Sequence, residues 1–319
     1  LSIVRRIFPS DTDAHRPRLA IEIMPYGVLA AAPGDVAIAG ESQDVRTAYV
    51  PLRIGVATPG LKSANLPDRA SVSAAIQQAL EQVSNGKGSR QVTVIVPDAA
   101  VRVLLLDFDS LPAKAADVIP ILRFRLKKLV PFEVEDAAVS YQVMPKASAM
   151  GGENLVRTAV AVMPNTIRAE YEDAVREAGF EPGAFLSSSL ACLSALPHDK
   201  ACLLVNRNAN SVTTAISHAS ELLLFRTLDF AESSVDPIAE SVAIEELQSA
   251  VSVSMAYYED TLSEALPHIF SVGPGGAAEL ERLLADPSIR VRELVPSPPG
   301  AGHSETTGML AGVVGALAS

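Results

Sequence analysis

At 319 residues, 48% of them hydrophobic and 20% charged, the chain has the length for two lobes or two domains and the apolar content to fill their cores, which excludes a single small module and a disordered chain. Its net charge of −11 would repel phosphate backbones, and no basic patch is large enough to offset this, so nucleic acid is excluded as a partner. The two cysteines, Cys192 and Cys202, and the 5 histidines fall in no metal-ligand spacing, so no zinc site and no disulfide scaffold is expected, and a reducing cytosol fits.

Residues 1–17 read as an N-terminal arm; arginines beside a short apolar cluster do not make a secretion signal. The pattern over 18–23, the Pro25-Tyr26-Gly27 turn and the apolar run at 28–31 predict a hairpin, and 49–56 is extended again. Val72, Ile76, Ala79, Leu80 and Val83 recur at three- and four-residue intervals and predict a helix over 71–83. Strands follow at 91–96 and 101–107 across a Pro97-Asp98 turn. A helix over 112–129 carries Val118, Ile121, Leu122 and Leu126 on one side, and Pro120 demands a bend or a restart there. A strand at 139–143, a loop rich in Gly, Ala and Ser at 144–154 and a strand at 156–162 lead to a helix over 166–178, with Asn165 as N-cap and Gly179 as stop. Three strands at 202–206, 212–216 and 221–227 echo the first hairpin. Asp236 and Pro237 open the longest helix, which runs to about residue 262. The remaining expectations are a strand at 269–272, a glycine turn, a helix over 277–285, a strand at 289–294 and a short helix from about Thr306. No apolar run reaches the roughly 18 to 20 residues of a bilayer span, so no direct membrane span is expected.

No catalytic residue emerges. Ser187-Ser188-Ser189 lacks the glycine-flanked elbow of a serine nucleophile and reads as a capping or packing turn. Gly86-Lys87-Gly88-Ser89 lies between a helix and a strand, the reverse of the order a phosphate loop needs. Gly273-Pro274-Gly275-Gly276 follows a strand and precedes a helix, so its backbone could approach a ligand and its helix start could favour an anion. The basic run Arg123 to Lys128 could meet an acidic partner or anionic lipid, or be a solvated helix end offset by Glu133, Glu135 and Asp136.

The run Leu126-Lys-Lys-Leu-Val-Pro-Phe-Glu-Val-Glu-Asp136, followed by Ser140-Tyr-Gln-Val143, resembles the stretch in PilM-like proteins of type IV pilus assembly where a helix ends in an "IPF" turn and leads to a "DYQV" strand. The hairpins at Leu19 and Cys202, the helix from Glu245 to Glu259 and the turn at Gly273 fall in the same order, so the resemblance covers nearly the whole chain. It implies an α/β actin-like fold: two ribonuclease-H-like lobes around a nucleotide cleft, with an inserted αβ (SHS2-like) subdomain of the kind in the cell-division protein FtsA. The implied division is a first lobe at 18–49 plus 146–199, the insertion at 50–145 and a second lobe at 200–319. It also implies a cytoplasmic protein, peripheral at the inner membrane through a PilN-type partner whose short N-terminal peptide it binds, alongside other pilus platform proteins.

In that family the cleft holds ATP and Mg²⁺. By resemblance the cleft positions are Glu22, Asn206, Asn208, Gly273, Gly275 and Gly276, but the phosphate signature is degenerate. Glu22-Ile23-Met24-Pro25 stands where an Asp-Ile-Gly-Ser hairpin is expected, Leu29 where a lysine is, and Asn206-Arg207-Asn208 where Asp-x-Gly is. Met24 would crowd a phosphate and Asn206 lacks the charge that holds hydrated Mg²⁺. The implied function is therefore a scaffold and pseudo-ATPase with no cofactor and no resident metal. Leu126, Leu129, Val130 and Phe132 are expected to form a wall of the peptide site, between the first lobe and the insertion. The alternatives are an ATP-binding switch of the same fold, a GspL-like domain of type II secretion and an FtsA-like filament former.

Overall fold

The computed structural model describes residues 17–34, 45–84, 89–144, 155–197, 200–218, 221–230, 237–266, 268–296, 306 and 308–318. In chain order the strands are β1 (Leu19–Met24), β2 (Gly27–Pro33), β3 (Val45–Pro51), β4 (Gln91–Val96), β5 (Arg102–Phe108), β6 (Ala137–Val143), β7 (Val156–Pro164), β8 (Glu181–Ser187), β9 (Cys202–Arg207), β10 (Ser211–His218), β11 (Glu221–Asp229), β12 (His268–Val272) and β13 (Val291–Glu293). The α-helices are α1 (Arg69–Val83), α2 (Ala115–Leu126), α3 (Asn165–Glu177), α4 (Ser188–Cys192), α5 (Pro237–Leu262), α6 (Gly276–Leu284) and α7 (Ala311–Ala318).

Two five-stranded sheets share one plan. Their orders are β3-β2-β1-β4-β8 and β11-β10-β9-β12-β13. In each, the first three strands form an antiparallel meander and the last two join in parallel. This is the ribonuclease-H-like core in duplicate, as the resemblance implies.

Strand periodicity assigns the faces, because successive side chains point to opposite sides. Ile21 and Ile23 of β1, Val28 and Ala30 of β2, and Val92 and Val94 of β4 face the first-lobe core with α1 and α3. Ala20, Met24, Leu29 and Ile95 point the other way and are covered by Met309, Leu310, Val313 and Ala316 of the α7 segment. In the second lobe Leu203 and Val205 pack with Leu247, Val251 and Leu280 of α5 and α6. Cys202 and Leu204 face Leu190 and Leu193, around α4. Both central sheets are thus buried on two faces, which is why β1 and β9 are nearly continuous apolar runs interrupted by Glu22 and Asn206.

The third sheet, β5-β7-β6, is antiparallel and carries α2 on one face, with Val118, Leu122 and Leu126 packed against Val160 and Val162. This inserted subdomain leaves the first lobe after β4 and returns at α3, so it starts well after residue 50 and runs on past 145. The expected boundary places α1 and β4 in the insertion, but β4 pairs in parallel with β1 and α1 fills the first-lobe core. The second lobe likewise ends earlier than 319, since α7 returns to the first sheet.

Gly179 ends α3 with φ +81°, as its position predicts, although Asn165 is the first helical residue and Pro164 the cap. Pro120 lies inside α2 without breaking it, on the exposed side, where Ala116, whose carbonyl loses its donor, is also exposed. Strand β8 is not foreseen from the sequence. Among the described residues no helix is long and apolar enough to cross a membrane. The expected N-terminal arm up to residue 16, the loop from residue 145, the turn at 85–88 and Asp236 lie outside the described residues.

Candidate functional site

The duplicated plan puts two polar residues at matching places: Glu22 on β1 and Asn206 on β9 each interrupt the apolar face turned toward the other lobe. Both are buried, at 4% and 2% exposure. Between them lie Asp98, just after β4, and the serines at the start of α4. Ser188 Oγ donates to Glu22 Oε1 at 2.5 Å. Ser189 donates to Asp98 twice, from its backbone N–H at 3.2 Å and its Oγ at 2.5 Å. The Asn206 amide reaches Asp98 Oδ2 at 3.2 Å and the hydroxyls of Ser188 and Ser189 at 3.0 Å each. One network therefore ties β4 and α4 to the second lobe. Ser187 caps α4, its side chain accepting from the Leu190 N–H.

Burial dominates the electrostatics. It pushes the Glu22 carboxyl up to about 7, helped by the charge of Asp98 and opposed by the Ser188 hydroxyl. Burial also raises Asp98, against the Ser189 and Ser187 hydroxyls, and raises the Cys192 thiol well above its usual value. Glu22 Oε2 has no hydrogen-bond partner among the described residues. A Cβ at Gly312 would collide with that same oxygen, so α7 can lie against the carboxylate because residue 312 is glycine.

The surrounding turns are filled by the chain itself. Leu29, where the family pattern has a lysine, is fully buried in the cluster under α7. The Tyr49 hydroxyl donates to the Tyr26 carbonyl at 2.9 Å, and its ring covers Gly27. Asn208 is buried in the second hairpin turn, where its N–H donates to the Ser211 carbonyl at 2.9 Å. At the glycine turn, Gly273 and Gly275 have φ +118° and +78° and lie against Arg207, whose guanidinium donates to the Pro274 carbonyl. The Gly273 N–H donates to the Gly308 carbonyl at 2.9 Å. Glu293 Oε1 backs onto Gly276 and accepts from the Ala277 N–H at 2.6 Å, capping α6 from within. Among the described residues no cluster of three or more His, Cys, Asp or Glu could hold a metal ion.

A second concavity lies elsewhere. A groove of about 720 Å³ runs between the first lobe and the inserted subdomain, bordered by Ala184 and Leu186 of β8, Ala138 and Ser140 of β6, Met163 of β7 and Arg168 of α3. Among the described residues β8 and β6 are the outermost strands of their sheets, so each has one backbone edge that no described strand pairs with. The four residues expected to wall this site do not border it. Leu126 is fully buried and Val130 nearly so, both in the subdomain's own core. Leu129 is 48% exposed just past the end of α2, and Phe132 borders a separate shallow recess at the 127–134 turn. Of these groove residues only Ser140 falls in a run that stands out in the sequence; Ala138, Met163, Arg168, Ala184 and Leu186 belong to no motif. Asp98, Ser188 and Ser189 were visible as a Pro-Asp turn and a serine run, yet nothing in the sequence joined them to Glu22.

No known sequence family matches the chain, and no curated protein does. Among solved structures, one described as the PilM-PilN type IV pilus biogenesis complex superposes with TM-score 0.69 at 18% identity, covering 94% of this chain and 98% of that one. A Bacteroides thetaiotaomicron protein with an actin-like ATPase fold gives TM-score 0.47 at 9% identity, covering 86% and 88%. The cytoplasmic domain of EpsL, an inner-membrane component of the Vibrio cholerae type II secretion system, gives 0.46 at 14% identity, covering 80% and 82%. The last two fits are too loose to carry weight, and at 18% identity the first speaks to the fold. The fold is the actin-like one, with two ribonuclease-H-like lobes and an inserted αβ subdomain.

Proposed function

We propose that this chain, which shares its fold with a chain of the PilM-PilN complex, is a cytoplasmic docking platform of a type IV pilus or related secretion machine. It works as a pseudo-ATPase: it takes up a peptide and runs no nucleotide cycle. The peptide is the extended N-terminal segment of a PilN-type inner-membrane protein, which would hold the platform at the membrane with its other components. The observation that carries the reading is the groove between β8 and β6. An extended segment laid there can pair its backbone with an open sheet edge and drop alternate side chains among Ala138, Ala184 and Leu186.

The central cleft supports the same reading from the other side. Transfer of a phosphoryl group needs a metal and positive charge placed on the phosphates. The donor set is a poor match. Asn206 is neutral and its amide is spent on Asp98 and two serines, Leu29 replaces the lysine, and Gly312 of α7 backs onto Glu22. No reaction step is assigned to Glu22, Asn206, Asn208 or the glycines at 273, 275 and 276.

Titration with a fluorescent peptide covering the cytoplasmic N-terminus of a PilN-type protein tests this. Saturable binding is expected for the wild type. Ser140→Trp, which fills the groove from an exposed position, should weaken it by about tenfold or more, the loss of roughly 1.4 kcal/mol. Phe132→Ala should leave it unchanged. Equal affinity for wild type and Ser140→Trp would remove the groove from the reading.

A further inference from the structure

The subdomain helix α2 buries one face and leaves the other with apolar side chains in water. Phe124 is 72% exposed, Ile121 37% and Leu129 in the following turn 48%. Large exposed apolar residues are few among the described residues, and these three sit within nine positions of one another. At about 100° per residue, Ile121, Phe124 and Lys128 fall on one side of the helix direction with Arg125 on its edge. No ion pair engages Arg125 or Lys128 among the described residues.

In the neighbouring acidic turn Glu135 is paired with Lys127, and Arg123 holds that turn by donating to the carbonyls of Val134, Glu135 and Ala137. Asp117, in the first turn of α2, falls on the same side about two turns from Phe124. At the C-terminal end the face presents Phe124 and Ile121, with Leu129 just beyond the helix, beside the cations Arg125 and Lys128, on a chain whose net charge is −11.

We propose that this face of α2 docks on an anionic bilayer surface. Charge complementarity chooses the occupant: an acidic molecule is repelled by anionic lipid everywhere except where a local basic rim lies within a Debye length, so this rim also sets the orientation. The shape agrees, because Phe124 stands out from a convex helix, and an apolar residue flanked by Lys and Arg is suited to the headgroup boundary. The inference does not depend on peptide capture. If the docking reading above also holds, α2 and the groove strand β6 of one subdomain would meet the membrane and its protein together.

Flotation of the whole chain with vesicles tests it without any partner. Vesicles of phosphatidylcholine with about one-third phosphatidylglycerol should carry the protein at low salt, and pure phosphatidylcholine should carry about fivefold less or lower. Lys128→Gln should cost about fivefold, the weight of one surface cation, and Phe124→Asp should reduce binding to background. Unchanged thermal melting of these exposed-site variants keeps a folding defect out of the comparison. Failure of the wild type to float with anionic vesicles at low salt would overturn the inference, as would equal flotation of wild type and Phe124→Asp. Loss of co-purifying pilus proteins in Phe124→Asp, without vesicle binding by the wild type, would assign the face to a protein instead and equally overturn it. Peptide titration in the groove is unaffected by either result.

Discussion

A carboxylic acid buried beside a second one is an expensive thing to keep, and Glu22 shows how the chain bears it. Its carboxyl is pushed from 4.5 to about 7, so the folded protein holds a proton that the unfolded chain releases. Stability from this group is full below the unfolded value and falls as pH rises from 4.5 toward 7, by up to about 3 kcal/mol. Raised Asp98 acts in the same direction. Urea unfolding at pH 5 and pH 8 should therefore show a wild type that weakens toward alkaline pH and a Glu22→Gln variant that weakens less. A steeper loss in the variant would contradict the burial account. At this scale the sequence was legible in type and not in place. Glu22, Asn206 and Asn208 stand out in the sequence by their order in the two hairpins, and all three are buried. The expected peptide wall at Leu126, Leu129, Val130 and Phe132 could not be corrected without the structure, because an apolar helix end gives the same pattern whether it faces a partner or its own core. Leu126→Asp would bury an unpaired charge and cost about 4 kcal/mol of subdomain stability, read as a lowered thermal midpoint.

Helix α7 carries glycines where they are costly to helix formation, and the packing explains them. A Cβ at Gly315 would collide with the Ala191 carbonyl of α4, a backbone atom that cannot swing aside. Gly315→Ala should lower the thermal midpoint by the equivalent of about 1 to 3 kcal/mol, even though alanine favours an isolated helix by roughly 1 kcal/mol. A rise in the midpoint would mean that the two helices are not in that close contact. Most elements were readable because their periodicity is clean: α1 repeats its apolar residues on one face, and β1, β2, β9 and β10 alternate or run apolar as doubly covered strands do. Strand β8 was missed for a local reason. It contains Pro182 and Gly183, residues that argue against a strand, and it tolerates them as the last strand of its sheet, where one edge needs no partner.

For the whole molecule, the duplicated core was foreshadowed by two hairpin units about 180 residues apart, each followed by helices and parallel strands. The position of the insertion was not. β4 and β5 are both apolar strands separated by a short turn, and nothing in their composition says that the chain changes sheets at Pro97. The subdomain is also tied outward, through Arg102 on β5 and Asp229 on β11. With the network of Asp98, Ser189 and Asn206 this gives two independent links to the second lobe. A cleft so occupied should not respond to nucleotide. Thermal melting with Mg²⁺ and ATP in large excess should leave the midpoint in place, whereas a ligand at a hundredfold its dissociation constant would add about 2.7 kcal/mol. A clear upward shift would revive the ATP-switch reading.

The route of α7 has an implication for dissection. Because Met309, Leu310, Val313 and Ala316 roof the sheet that β1 and β2 begin, segments almost 300 residues apart complete one lobe together. Expressed by themselves, residues 1–197 would surface with a greasy, unroofed floor of Met24, Leu29 and Ile95, and should precipitate. Supplied together with residues 198–319 on a second polypeptide, they should recover as a soluble pair.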